Sequence, residues 1–78
     1  MNLRNIVYKL QKALCLKGRY IKINQIQFYS EKLNKMSTKF VLKESVNING
    51  KKKDVTLLET FRMIEVVNFL IVMLDGGE

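Results

Sequence analysis

The sequence predicts an α+β domain of order α-β-β-β-α, a three-stranded antiparallel meander that carries both helices on one face. Three observations predict it. Apolar residues recur at helical spacing near both ends of the chain, they alternate with polar ones from about Arg19 to Glu59, and Gly18 and Asn49-Gly50 punctuate the pattern. With 78 residues, no proline, no internal repeat and no low-complexity stretch, residues 1–78 read as one domain. A single core of that size contributes only about 3 to 5 kcal/mol.

Asn2 is placed to cap a first helix from Leu3 to Lys17, with Gly18 just past its end. Leu3, Ile6, Val7, Leu10 and Leu14 fall on one stripe, while Lys9 and Lys12 point away. Cys15 on the flank of that stripe is expected to be partly buried. Leu16 lies outside it, as an ordinary exposed leucine or as an oligomer contact.

From Arg19 the period changes to two. Ile21 and Ile23 share one parity and Ile26 and Phe28 the other, which predicts a β-bulge near Asn24 and Gln25. The inward set is then Ile21, Ile23, Ile26 and Phe28, and the outward set Tyr20, Lys22, Gln25, Gln27 and Tyr29. Glu31 to Lys35 suits a hairpin loop, and Met36 to Ile48 is the clearest strand, with Phe40 and Leu42 on its apolar face. Glu44 interrupts that face and is expected near the sheet margin, reaching water.

Asn49-Gly50 predicts a type I′ turn, whose two central residues both need positive φ. A two-residue loop sets Ile48 opposite Lys51 and Leu42 opposite Leu57, with Val55 and Leu57 on the core face. The third strand should end near Glu59, with Thr60 capping the last helix. From Phe61 to Leu74 only Arg62, Glu65 and Asn68 are polar, and Asp75, Gly76 and Gly77 supply the stop. Ile64, Val67, Leu70 and Leu74 suffice to cover the sheet and meet the first helix. Met63, Val66, Ile71 and Val72 are surplus, and with Leu16 they are the candidate self-association residues.

The net charge is +7, distributed unevenly: Met1 to Lys53 holds 13 Lys and Arg against Glu31 and Glu44, whereas the remainder holds Arg62 against five carboxylates. With no histidine and one cysteine, neither a soft metal site nor a Cys/His or Ser/His nucleophile pair can be built within one chain, and no glycine loop cradles phosphate. A non-enzyme without cofactor or metal is expected. The lone cysteine and the lack of a signal peptide or spanning segment point to a cytoplasmic protein. Its partner is expected to be another protein or a second copy. Nucleic acid is the alternative: Tyr20, Lys22, Gln25, Gln27 and Tyr29 would share the outer sheet face with Lys39 and Lys43, combining stacking, amide and phosphate-binding groups. Lys51, Lys52 and Lys53 at the hairpin tip are further candidates, or simply a solvated turn.

The element order is similar to the double-stranded-RNA-binding domain. That family implies a lysine pair opening the second helix and a Gly-Pro-x-His loop between the first two strands. Here Thr60, Phe61 and Arg62 stand between Glu59 and Glu65, and the loop Glu31 to Lys35 has neither Pro nor His, so no binding residue is carried over. The Asn/Lys/Ile-rich composition, the NIVYKLQKAL opening and the IEVVNFL helix also resemble small open reading frames of prophages in low-GC Gram-positive bacteria. That resemblance implies a mobile-element accessory role.

Overall fold

A computed structural model describes residues 2–76 as α1 (Leu3–Leu16), β1 (Tyr20–Ser30), β2 (Lys35–Ile48), β3 (Lys51–Thr60) and α2 (Met63–Leu74). The strands form an antiparallel sheet of order β1-β2-β3, and both helices pack on one face of it. The expected architecture is the one observed.

Local chemistry sets the ends of the elements. Asn2 Oδ1 accepts from the Arg4 N–H at 2.9 Å, so α1 is capped as its sequence predicts. At its other end Gly18 has φ +85°, and Gly18 N and Arg19 N donate to the Cys15 and Leu14 carbonyls. That is a Schellman motif, and it closes the helix at Leu16, one residue before the expected end. Lys17 Nζ donates to the Leu74 carbonyl at 3.0 Å, tying the C-termini of the two helices together and placing a cation at the negative end of α2. Asn49 (φ +53°) and Gly50 (φ +81°) make the tight turn, and Ile48 faces Lys51 as predicted. Of the expected stop after α2, Gly77 lies outside the described residues.

The sheet corrects the expected register twice. The β1–β2 ladder runs unbroken from Tyr20↔Ser45 to Ser30↔Lys35, so there is no bulge at Asn24 or Gln25. Ile26 and Phe28 therefore stand on the helix-free face. They are tolerated there because that face is not wholly polar: Phe28 meets the Phe61 ring at 6.0 Å, and Val41 on the same face is buried. The bulge sits instead in β3, where Leu42 pairs with Leu58 while Lys43 pairs with Thr56, leaving Leu57 as the extra residue. Leu57 and Leu58 both pack against the core, which a regular strand could not arrange.

The core comprises Val7 and Leu14 of α1, Ile21, Phe40 and Leu42 of the sheet, and Val66, Val67, Leu70 and Met73 of α2. Leu14, Leu42, Val66 and Leu70 are the largest fully buried side chains. The wide dry face of α2 has two neighbours to satisfy, α1 beside it and the sheet beneath, so Val66 is core and not surplus, and Met73 is core beside it. Ile64, expected to cover the sheet, is 40% exposed instead.

Three further expectations change. Arg62, and not Thr60, occupies the N-cap position of α2. The Thr60 hydroxyl still organises the junction, accepting from the Arg62 N–H at 3.2 Å and donating to Glu65 Oε1 at 2.5 Å. Glu44 does not reach freely into water. Arg19 Nε and Nη2 each donate to its carboxylate at 3.0 Å, and its side chain is 12% exposed. Cys15 is exposed, because the stripe buried by α1 is centred on Val7 and Leu14 and the thiol lies to one side of it.

Candidate functional site

One helical layer on one sheet leaves two surfaces bare, the second face of the sheet and the outer face of α2. The strand register fixes which residues share the first. Tyr20, Lys22, Asn24, Ile26 and Phe28 of β1 lie beside Lys39, Val41 and Lys43 of β2, followed by Asp54, Thr56 and Glu59 of β3. Ion pairs across the strands confirm the grouping: Lys22 Nζ lies 3.4 Å from Asp54 Oδ2 and Lys39 Nζ 2.5 Å from Glu59 Oε1. Both pairs are partly exposed and contribute little. Lys22 stands directly opposite Lys43, a like-charge pair that Asp54 offsets from the next strand.

Of the predicted nucleic-acid candidates, Tyr20, Lys22, Lys39 and Lys43 are thus brought together. Gln25, Gln27 and Tyr29 are not, because without a bulge they alternate onto the helix-bearing face with Ile21 and Ile23. Gln25 Oε1 accepts from Arg4 Nη2 of α1 at 3.2 Å, and the Tyr29 hydroxyl donates to Asn34 Oδ1 in the adjoining turn. Lys51, Lys52 and Lys53 are exposed, but their alternation sends Lys52 to one face and its two neighbours to the other. Sequence reasoning missed Asn24, Phe28 and Phe61 on the open face. For Asn24 and Phe28 the reading that finds them is a β1 kept regular with apolar residues on both faces, and for Phe61, which follows β3, no signal in the strand pattern does.

The second surface carries the self-association candidates. Ile71 (41% exposed) and Val72 (52%) face outward with Ile64, flanked by Glu65 and Asn68, and Leu16 at the end of α1 is 90% exposed. Val66 is fully buried and closed to a partner, and Met63 is partly buried against the core. Half of the apparent surplus is therefore internal packing.

Two hollows lie at opposite ends of the sheet. One of about 730 Å³ is lined by Tyr20, Lys22, Glu44, Asn47 and Lys52 among others. The other, about 650 Å³, is lined by Phe28, Leu33, Met36 and Phe61 among others. Among the described residues no three His, Cys, Asp or Glu side chains gather as metal ligands would, and no helix is long and apolar enough to cross a membrane. Compared with known protein families, curated proteins and solved structures, the chain matches none.

Proposed function

We propose that this chain is a small non-catalytic interaction module whose partner is a second copy of itself. The observation that carries this reading is the apolar surface left uncovered by a single helical layer: Ile26, Tyr29 and Met36 on the β1–β2 hairpin are exposed, as are Ile71, Val72 and Leu16 on the helices. Exposed apolar groups on this scale are stabilised when a second surface removes them from water, at about 25 cal/mol per Å². Sedimentation equilibrium across the micromolar range tests it. A dimer whose population rises with concentration is expected, and a strict monomer throughout overturns the reading. The setting we propose is the cytoplasm, in the mobile-element accessory role that the prophage resemblance implies.

A second reading is favoured by one arrangement. Tyr20, Lys22, Lys39 and Lys43 share an open sheet face with Phe28, which offers ammonium groups to phosphates and rings to unstacked bases. Titration of a single-stranded oligonucleotide at low salt tests it. Binding should weaken as salt rises, and Lys43→Glu should reduce the salt slope; undetectable affinity at low salt removes this reading.

A further inference from the structure

The sheet order β1-β2-β3 leaves two edges, and the two are built differently. Along β3 stand Lys51, Lys52, Lys53, Asp54 and Glu59, and the bulge at Leu57 interrupts its ladder. Charges and bulges are the usual protection of an edge against pairing with another strand. By contrast, β1 from Ile23 to Ser30 contains no charge, no proline and no glycine, and its register is unbroken over all eleven residues. Asn24, Gln25, Ile26 and Gln27 are all exposed. An uncharged, unbroken edge of this kind is a template for another strand.

The placement of α1 adds a second argument. Gln11 Nε2 donates to the Ile21 carbonyl at 3.0 Å, and Arg4 reaches Gln25, so α1 begins above Gln25 and runs toward the Tyr20 end of the strand. Met63 at the start of α2 lines the same shallow hollow as Arg4, Gln25 and Phe40. Both helices thus cover one half of the β1–β2 hairpin. The other half, from Ile26 through the turn to Thr38, projects beyond them, with Tyr29 and Met36 exposed on its helix-side face.

We propose that two copies join antiparallel along β1, making one six-stranded sheet with all four helices on the same face; this rests on the self-association reading above. A two-fold axis perpendicular to the sheet keeps like faces together, so residues of equal parity must pair. The axis must also lie where α1 begins or beyond it, since directly adjacent strands are about 4.8 Å apart whereas packed helices need 8 to 10 Å. An axis through Ile26 meets both conditions. Each α1 then lies beside the projecting half of the other copy's hairpin, where Tyr29 and Met36 are bare. Lys22 falls opposite Ser30, the last residue of β1 in the second copy, whereas an axis through Gln27 would carry it past the end of that strand toward Lys32 in the turn. On the open face the Ile26 and Phe28 side chains of both copies merge into one apolar patch.

The test combines charge insertion with cross-linking. Ile26→Lys sets two exposed lysines opposite each other at the axis, and Gln27→Lys places one opposite Gln25 of the second copy, beside the Arg4 that Gln25 accepts from. Neither touches the core, and each is expected to weaken the dimer about tenfold or more while leaving the circular dichroism spectrum unchanged. Ile71→Lys on α2 is expected to leave it intact. In a Cys15→Ser background, Ile26→Cys should form an intermolecular disulfide under mild oxidation, since directly opposed residues have Cα separations of about 4.5 to 5.5 Å. The equivalent Val55→Cys on β3 should not. A dimer that survives both strand substitutions, is lost on Ile71→Lys and gives no cross-link at position 26 overturns the β1 surface but leaves self-association standing. A wild-type chain that stays monomeric overturns both.

Discussion

At the scale of single residues, Leu42 and the Arg19–Glu44 pair show how little spare stability this chain has. Leu42 is fully buried where β1, β3 and the core cluster meet. Leu42→Ala removes about 2 to 5 kcal/mol, comparable with the about 3 to 5 kcal/mol that a domain of this size holds. The variant is expected to be largely unfolded at 25 °C by circular dichroism, and a cooperative native transition retained near the wild-type midpoint would contradict this account of the core. Glu44 is nearly buried while Arg19 remains a third exposed. A double-mutant cycle of Arg19→Ala and Glu44→Ala, read by urea unfolding, should give a coupling of about 1 to 2 kcal/mol, below that of a fully buried pair because solvent reaches the guanidinium. The sequence placed Glu44 on the apolar face correctly but not its partner. Arg19 lies 25 residues away, and no local pattern reports a contact made by folding one strand over another.

At the scale of elements, both helices, both turns and all three strands were legible, because a cap, a positive-φ turn and a period are properties of neighbouring residues. The Asn2 cap, the Gly18 terminus and the Asn49-Gly50 turn are such cases. Bulge placement was not legible. The change of parity in β1 predicts a bulge only if every apolar side chain of β1 belongs to one core, whereas Ile26 and Phe28 belong to the other face. In β3, Leu57 and Leu58 gave no parity signal because both are apolar and both pack inward. Deleting Leu57 should therefore be tolerated: Thr56 stays opposite Lys43 and Leu58 stays opposite Leu42, so no other side chain changes face. The deletion is expected to cost about 1 to 2 kcal/mol from the lost half-buried leucine while retaining native strand content. Loss of the sheet in this variant would mean that the bulge is required for the twist of β3 and is not a removable insertion.

At the scale of the molecule, the helices cover only part of one side of the sheet. The radius of gyration is 14.0 Å and the extents are 43 × 33 × 18 Å, whereas a compact chain of this length has a radius of about 11.5 Å. The candidate site was half legible for the same reason. Residue types and charge could be read, but which lysines and rings share a face depends on register, and which α2 side chains are surplus depends on how many neighbours α2 has. Ile71 and Val72 stayed outside the core while Val66 joined it.

The closure of α1 against α2 also has a kinetic consequence. These helices stand at opposite ends of the described chain and pack more extensively on each other than on the strands, yet the meander between them is built from neighbouring hairpins. Hairpins close within microseconds, whereas bringing α1 to α2 requires closing a loop that contains the whole sheet. The transition state should therefore hold the β2–β3 turn in place while the helices are still undocked. Gly50→Ala, which strains the turn at φ +81°, is expected to slow refolding, and Leu70→Val, on the α2 face buried in the core, to accelerate unfolding. Stopped-flow chevron plots of the two variants separate these limbs. Reversal of the two effects would place helix docking first and the sheet last.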